Sequence, residues 1–185
     1  MLKAKIAKKG RSGFTVIELL VVIVVIGILV TLTIVNYNGI QARSRDTIVK
    51  NAAKQLAVEL LRFSSDTGKT PLQTGGGWSG QGIGYVSTQI VDSYYPLAIE
   101  TVLVNGGYLP SGFTAALPKN TKYNSSAYTL MLYGCGSKYV VYYSLESPTD
   151  TDKSDYTNNV IPTCGSTATT VQTNYNMQGG YIFGP

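Results

Sequence analysis

The sequence predicts an α+β chain: a long N-terminal α-helix, transmembrane in its first half and amphipathic in its second, packed on a small antiparallel β-sheet. Three observations carry this reading. Residues 14–35 form a 22-residue run with one charge, Glu18, about the 20 needed to cross a bilayer as a helix. Past Gly39, apolar residues Val49, Ala52, Ala53, Leu56, Leu60 and Phe63 recur three and four apart, the period of one helix face. Further on, residues 127–133 and 138–145 alternate as strands do.

The leader comes first. Lys3, Lys5, Lys8, Lys9 and Arg11 stand in the first 13 residues with no acid among them. Removing these five of the 15 basic residues leaves ten against ten acids, so the net charge of +5 belongs to the leader alone. Such a charge holds an N-terminus on the cytoplasmic side, and it says nothing about nucleic acid. The chain has no histidine, which removes the commonest general base and metal ligand. It also lacks CxxC and GxSxG motifs, so the usual catalytic constellations are missing. No enzyme activity, cofactor or metal is expected.

In the apolar run, many Val and Ile residues are mediocre helix formers in water, but in lipid the backbone has no other partner and helix is the default. A lone carboxylate there costs several kcal/mol, roughly 3 at a helix centre, and marks a functional site. Gly13, a small residue, stands just before the run. An ordinary secretory signal has a shorter apolar region with its cut after it; here the cut falls between Gly13 and Phe14, discarding the charges and keeping the span. An uncleaved anchor is the other reading. Cleavage creates a Phe14 ammonium beside the positive end of the helix, with Glu18 about 6 Å up the axis. Glu18 then satisfies its own terminus or that of an axially displaced neighbour, and the cost of an unpaired charge favours the correct stagger. The plainer alternative is a Glu that snorkels to the headgroups as a helix cap.

The amphipathic half follows, with Lys50, Lys54, Glu59 and Arg62 mostly on other faces, and stop signals from Ser64 to Pro71. The helix is expected from Phe14 to near Ser65, about 78 Å long, with any bend at the weak helix formers Asn36, Asn38 and Gly39. Arg43, Arg45, Lys50 and Lys54 form a basic cluster. It faces lipid headgroups, acids of a neighbouring subunit or DNA, or else is a solvated face with Asp46–Lys50 pairing. Residues 74–84, with the lone Trp78, read as a flexible Gly-rich surface loop rather than a phosphate loop. Residues 96–105 read as a short helix closed by Gly106-Gly107.

In the first alternating run Tyr128, Leu130 and Leu132 share a face; in the second Tyr139, Val141, Tyr143 and Leu145 do. Gly134-Cys135-Gly136-Ser137 between them predicts a hairpin, and residues 180–183 a last strand. Thirteen of the 14 tyrosines lie between Tyr85 and Tyr181, as suits a β-rich exposed domain. Cys135 and Cys164 fall in the exported part, where an even count favours a disulfide worth about 3 kcal/mol. It closes a polar excursion, SPTDTDKSDYTNN. Asp150, Asp152 and Asp155 there are calcium candidates, but the EF-hand Gly and distal Glu are absent and Lys153 intervenes, so a solvated acidic loop is the preferred reading.

After its basic leader, Gly13-Phe14-Thr15-Val16-Ile17-Glu18-Leu19-Leu20 resembles the class III signal of type IV pilins and pseudopilins. The resemblance covers the leader and the whole apolar run. It implies the type IV pilin fold, cleavage between Gly13 and Phe14 by a membrane prepilin peptidase, N-methylation of Phe14, and pairing of Glu18 with a neighbour's N-terminus during assembly. The implied organisation is leader 1–13, filament-core helix 14–39, amphipathic helix 40–66, connecting αβ-loop 67–125, and sheet with disulfide-bounded loop 126–185. The implied product is a homopolymer, a surface pilus of the kind used in adhesion and twitching motility. Its precursor sits once through the cytoplasmic membrane, C-terminal domain outside, among lipid and a membrane assembly platform. A pseudopilin of a secretion or DNA-uptake machine is the alternative, then a membrane-anchored binding domain that never polymerises. The chain departs from many family members in having no proline before Pro71.

Overall fold

The computed structural model describes residues 13–90, 93–94 and 96–184, with the backbone alone at 32–36 and 38. The basic leader therefore lies outside the described residues, while at Asn36, Asn38 and Gly39, the expected place of any bend, the backbone is helical. The chain divides into two units, Met1–Gly39 and Ile40–Pro185. Helix α1 is assigned over Val16–Thr67 without interruption, contributing its first turns to one unit and its amphipathic half to the other.

In the first unit α1 carries apolar side chains on all sides. In the second, the periodicity is obeyed: Val49, Ala52, Ala53, Leu56, Ala57, Leu60 and Phe63 are buried and form one core with Leu130, Leu132, Val141 and Phe183. These four come from an antiparallel sheet of order β1-β2-β3-β4: β1 (Gly84–Tyr85), β2 (Leu130–Cys135), β3 (Lys138–Tyr143) and β4 (Gly179–Phe183). Register pairs Leu130 with Tyr143 and Leu132 with Val141. The two predicted stripes are therefore one stripe, facing α1. Tyr128 and Leu145 are not part of it. Tyr128 ends a 3-10 turn (Ser126–Tyr128) that Ser125 caps, and β3 stops at Tyr143.

The sheet's other face is also covered. Met131, Cys135, Val140 and Tyr142 pack with Tyr156, Val160, Ala168 and Val171 in a second core. The expected polar loop is in fact a helical layer: α3 (Asp150–Asp155), a π-helical turn (Tyr156–Val160), α4 (Ile161–Cys164) and α5 (Ser166–Tyr175). Two signals for it stand in the sequence. Thr149 and Asp152 form a reciprocal capping box, and Tyr156, Val160, Ala168 and Val171 keep a helical spacing. Gly180 lets this layer approach, since a Cβ there would meet Val160 and Val140 at about 3 Å. The hairpin turns on Gly136-Ser137, with Gly136 at φ 65°, the positive value a two-residue turn needs. Both cores lie wholly within Ile40–Pro185.

The connecting region holds α2 (Ile99–Asn105), three residues shorter at its start than predicted. Residues 74–84 depart further from expectation: they are tied into the fold and end in edge strand β1, which pairs Gly84 with Leu132.

Candidate functional site

The apolar helix is preceded by three described residues without regular structure. Gly13 and Phe14 precede the first helical residue, Val16, and a Cβ placed on Gly13 would meet no described atom within 4 Å. Phe14 is 86% exposed. Among the described residues nothing crowds Gly13, and both Gly13 and Phe14 lie outside regular structure, a local setting that favours proteolytic access.

Glu18 folds back on the start of its own helix. Its Oε2 accepts from the Thr15 N–H at 2.8 Å and from the Thr15 hydroxyl at 2.8 Å, while the Glu18 N–H donates to Thr15 Oγ1 at 3.3 Å. This is a capping box, Thr15-x-x-Glu18, satisfying orphan donors of the first turn. The T-x-x-E spacing is plain in the sequence; sequence reasoning left Glu18 to its own terminus, a neighbour's terminus or a helix cap, and passed over Thr15. Among the described residues Oε1 accepts no bond, and Oε2 takes both bonds from Thr15. From Phe14 to Val30, fourteen large apolar side chains are 48–86% exposed.

The basic cluster is not a free surface. Arg45 makes a bidentate pair with Glu146, Nε–Oε2 2.6 Å and Nη2–Oε1 2.8 Å. Lys50 meets Asp152 at 2.5 Å. Asp46 does not pair with Lys50. It is buried, and its carboxylate accepts the backbone N–H groups of Glu146 at 2.7 Å and Ser147 at 2.9 Å. These contacts tie the stretch after β3 to the stem. The hydrogen bond from Arg45 holds the Glu146 carboxyl below its usual range. Burial pushes Asp152 upward, but hydrogen bonds from Lys50 and Thr149 outweigh it and leave its carboxyl lowered. Two of the four cations are thereby spent on this chain's own acids, which weakens the DNA and lipid readings of the cluster.

The calcium candidates are engaged as well. Asp150 lies 3.5 Å from Lys153, Asp152 caps Thr149 and meets Lys50, and Asp155 accepts from Asn159 at 2.6 Å. Among the described residues no group of His, Cys, Asp or Glu could hold a metal ion. Cys135 and Cys164 are bonded, with Cα atoms 4.8 Å apart. The bond joins the end of β2 to the end of α4, fastening the helical layer to the sheet. Sequence reasoning also missed Glu100, fully buried on α2. Its carboxylate accepts from the Thr88 N–H at 3.1 Å, the Thr114 N–H at 3.0 Å and the Thr114 hydroxyl at 2.5 Å. These bonds pin the connecting region together, a structural role.

Residues 8–34 match the prokaryotic N-terminal methylation motif, the class III signal of type IV pilins and pseudopilins. The motif spans Gly13, Phe14 and Glu18. The motif covers residues 8–34 alone; together with the α+β fold it supports a type IV pilin-like or pseudopilin reading of the chain. No curated protein and no solved structure matches the chain.

Proposed function

We propose that the chain is the structural subunit of an extracellular type IV pilus, polymerised through its N-terminal apolar helix. One observation carries the reading: fourteen large apolar side chains between Phe14 and Val30 stand exposed around a single carboxylate. Leaving them in water forfeits on the order of 20 kcal/mol of burial, so lipid must cover them first and copies of the same helix afterwards. Among the described residues no helix is long and apolar enough to cross a membrane. The proposal of a span rests on the 22-residue run at 14–35 in the sequence.

In this account a membrane prepilin peptidase cuts after Gly13 on the cytoplasmic side and the Phe14 amine is methylated. The precursor waits in the cytoplasmic membrane with Ile40–Pro185 outside, and the assembly platform passes it into the filament. Glu18 begins with its own Thr15 and offers Oε1 to the Phe14 ammonium of a neighbour. In an apolar bundle an unpaired charge costs several kcal/mol, about 3–5, so only the stagger that pairs these groups is stable. The engagement of Asp152 by Lys50 supports a surface pilus over a secretion subunit with a calcium-held loop.

The test is the mature N-terminus. Cells expressing the chain with its peptidase are expected to yield filaments whose subunit begins at N-methylated Phe14. Gly13→Leu should abolish the cut, because the scissile position needs a small residue. A filament-free chain that keeps its leader, or a mature subunit beginning elsewhere, would refute the proposal.

A further inference from the structure

The amphipathic half of α1 does not turn a purely polar face outward. Its stripe from Val49 to Phe63 is buried, yet Ile48, Val58 and Leu61 on other faces are 48%, 52% and 42% exposed. A helix that buries one stripe in a domain normally presents charged and polar residues on the opposite side, so this display calls for a cover.

An open groove of about 440 Å³ lies beside the same helix. Ile48, Asn51, Ala52 and Gln55 form one wall, spaced three and four apart, so the groove follows the axis of α1 for about two turns. Pro110, Phe113 and Ala116, from the turns after Leu109, form the other wall. Ala52 and Phe113 are buried and give it an apolar floor. Among the described residues none that lines it is charged, so nothing there would hold a phosphate, a carboxylate or an ammonium.

A groove running along a helix takes a ridge from another helix. From Ile40 onward, every exposed large apolar side chain on an α-helix of the described residues belongs to α1 itself: Ile40, Ile48, Val58 and Leu61. Ile48 is already a wall of the groove and Ile40 stands alone, whereas Val58 and Leu61, three apart, make a ridge. Arg62, next to Leu61, is turned aside: it lies over the Tyr108 ring at 5.5 Å and toward Glu59 and Asp66 at 3.6 and 3.8 Å. Val58 is ten residues from Ile48, about 15 Å along the helix, so no copy can fill its own groove with its own ridge. We infer that the groove holds the Val58–Leu61 ridge of a second copy of this chain.

The contact is heterologous, each copy giving a ridge and a groove, and such contacts propagate into open helical assemblies. Seating the ridge midway between Ile48 and Gln55 shifts one stem about 12 Å along the other, two of the roughly 6 Å steps that bring Glu18 to a neighbour's Phe14 ammonium. Two side chains in one groove cover far less than the roughly 800 Å² per partner of a stable interface. The contact therefore orders copies that the apolar helices already join, and it deepens the filament reading, on which it rests.

The experiment expresses the full chain with its peptidase, carrying Ile48→Cys and Val58→Cys together. The two sulfurs are too far apart to bond within one copy. Oxidised, sheared filaments are expected to give a ladder of cross-linked multimers, and each single variant to give monomer. Monomer from filaments of the double variant overturns the inference and leaves the filament reading standing. Dimers from either single variant overturn it too, since they mean a contact of like surfaces. Ala116→Trp, which fills the groove, is expected to lower filament yield about tenfold, the change that 1.4 kcal/mol brings, with cleavage before Phe14 unaltered; wild-type yield would overturn the inference. If the unaltered chain is processed and makes no filaments, the filament reading falls first and this contact with it.

Discussion

Asp46 is the residue whose removal should reveal how the outer layer is fastened to the stem. Its carboxylate is buried and accepts two backbone N–H groups, from Glu146 and Ser147, at 2.7 and 2.9 Å. A hydrogen bond to a charged group contributes about 1.5–3 kcal/mol, and an unsatisfied donor left behind costs about as much again as its desolvation. Both donors sit near the surface, where water replaces part of the loss, and the Arg45–Glu146 pair, about 40% exposed on each side, holds the strand end in place after the cut. We therefore expect Asp46→Ala to destabilise Ile40–Pro185 by about 3 kcal/mol, which for a chain of this size lowers Tm by about 6–12 °C. Asp46→Asn keeps one acceptor and should lose about half as much. Urea unfolding of the three proteins, monitored by circular dichroism with m unchanged, measures the differences. A loss under about 0.5 kcal/mol for Asp46→Ala, the level of an ordinary surface substitution, would show that the two bonds are incidental and the argument wrong.

Three further outcomes follow from the same contacts. Glu18→Ala should be cleaved normally but assemble poorly, scored as the ratio of sheared filaments to processed subunit; wild-type filament yield would sink the pairing account. Replacing Cys135 and Cys164 by Ala releases a link across 29 residues, for which loop-closure entropy gives about 3–4 kcal/mol; denaturant melts that agree within error would contradict it. Alkaline stability carries a sign that can be worked out. Burial first, then the Asp152 and Asp155 charges, pushes Tyr143 up to about 12, and burial likewise raises Tyr142 and Tyr156. An unfolded tyrosine ionises near pH 10, so between about 10 and 12 the unfolded state releases protons that the folded state keeps. Stability is then full below pH 10 and falls as pH rises through that window. A tyrosinate absorbance titration in which all tyrosines ionise near pH 10 with no cooperative unfolding would disprove this.

The legibility of the chain differs sharply from one region to the next. The apolar run and the methylation motif at residues 8–34 were readable because each is a contiguous stretch whose length and polarity are written locally. The buried stripe from Val49 to Phe63 was readable for a similar reason: its period is set by one helix packing on one surface. The helical layer after β3 was harder. Its outer face is a run of Ser, Thr, Asp and Asn, a composition that suits loops, and its buried positions are only four, spread over 16 residues from Tyr156 to Val171. The apolar doublets Val140-Val141 and Leu130 through Leu132 gave warning that both sheet faces are covered. The strict alternation assumed for a half-exposed sheet hid it.

By itself the sequence determined that this chain has an apolar N-terminal helix with a carboxylate at a fixed place, two cysteines to join and two strands to pair. Those are local or single-element facts, each carried by a spacing. The tertiary structure alone decided where the charges go: Arg45 to Glu146, Lys50 to Asp152, and Asp46 to two backbone amides 100 residues away. It also decided that Trp78 is displayed and Glu100 buried. The physical reason is that a charge or a ring can be matched by many partners along a chain, and only packing selects which of them comes within reach.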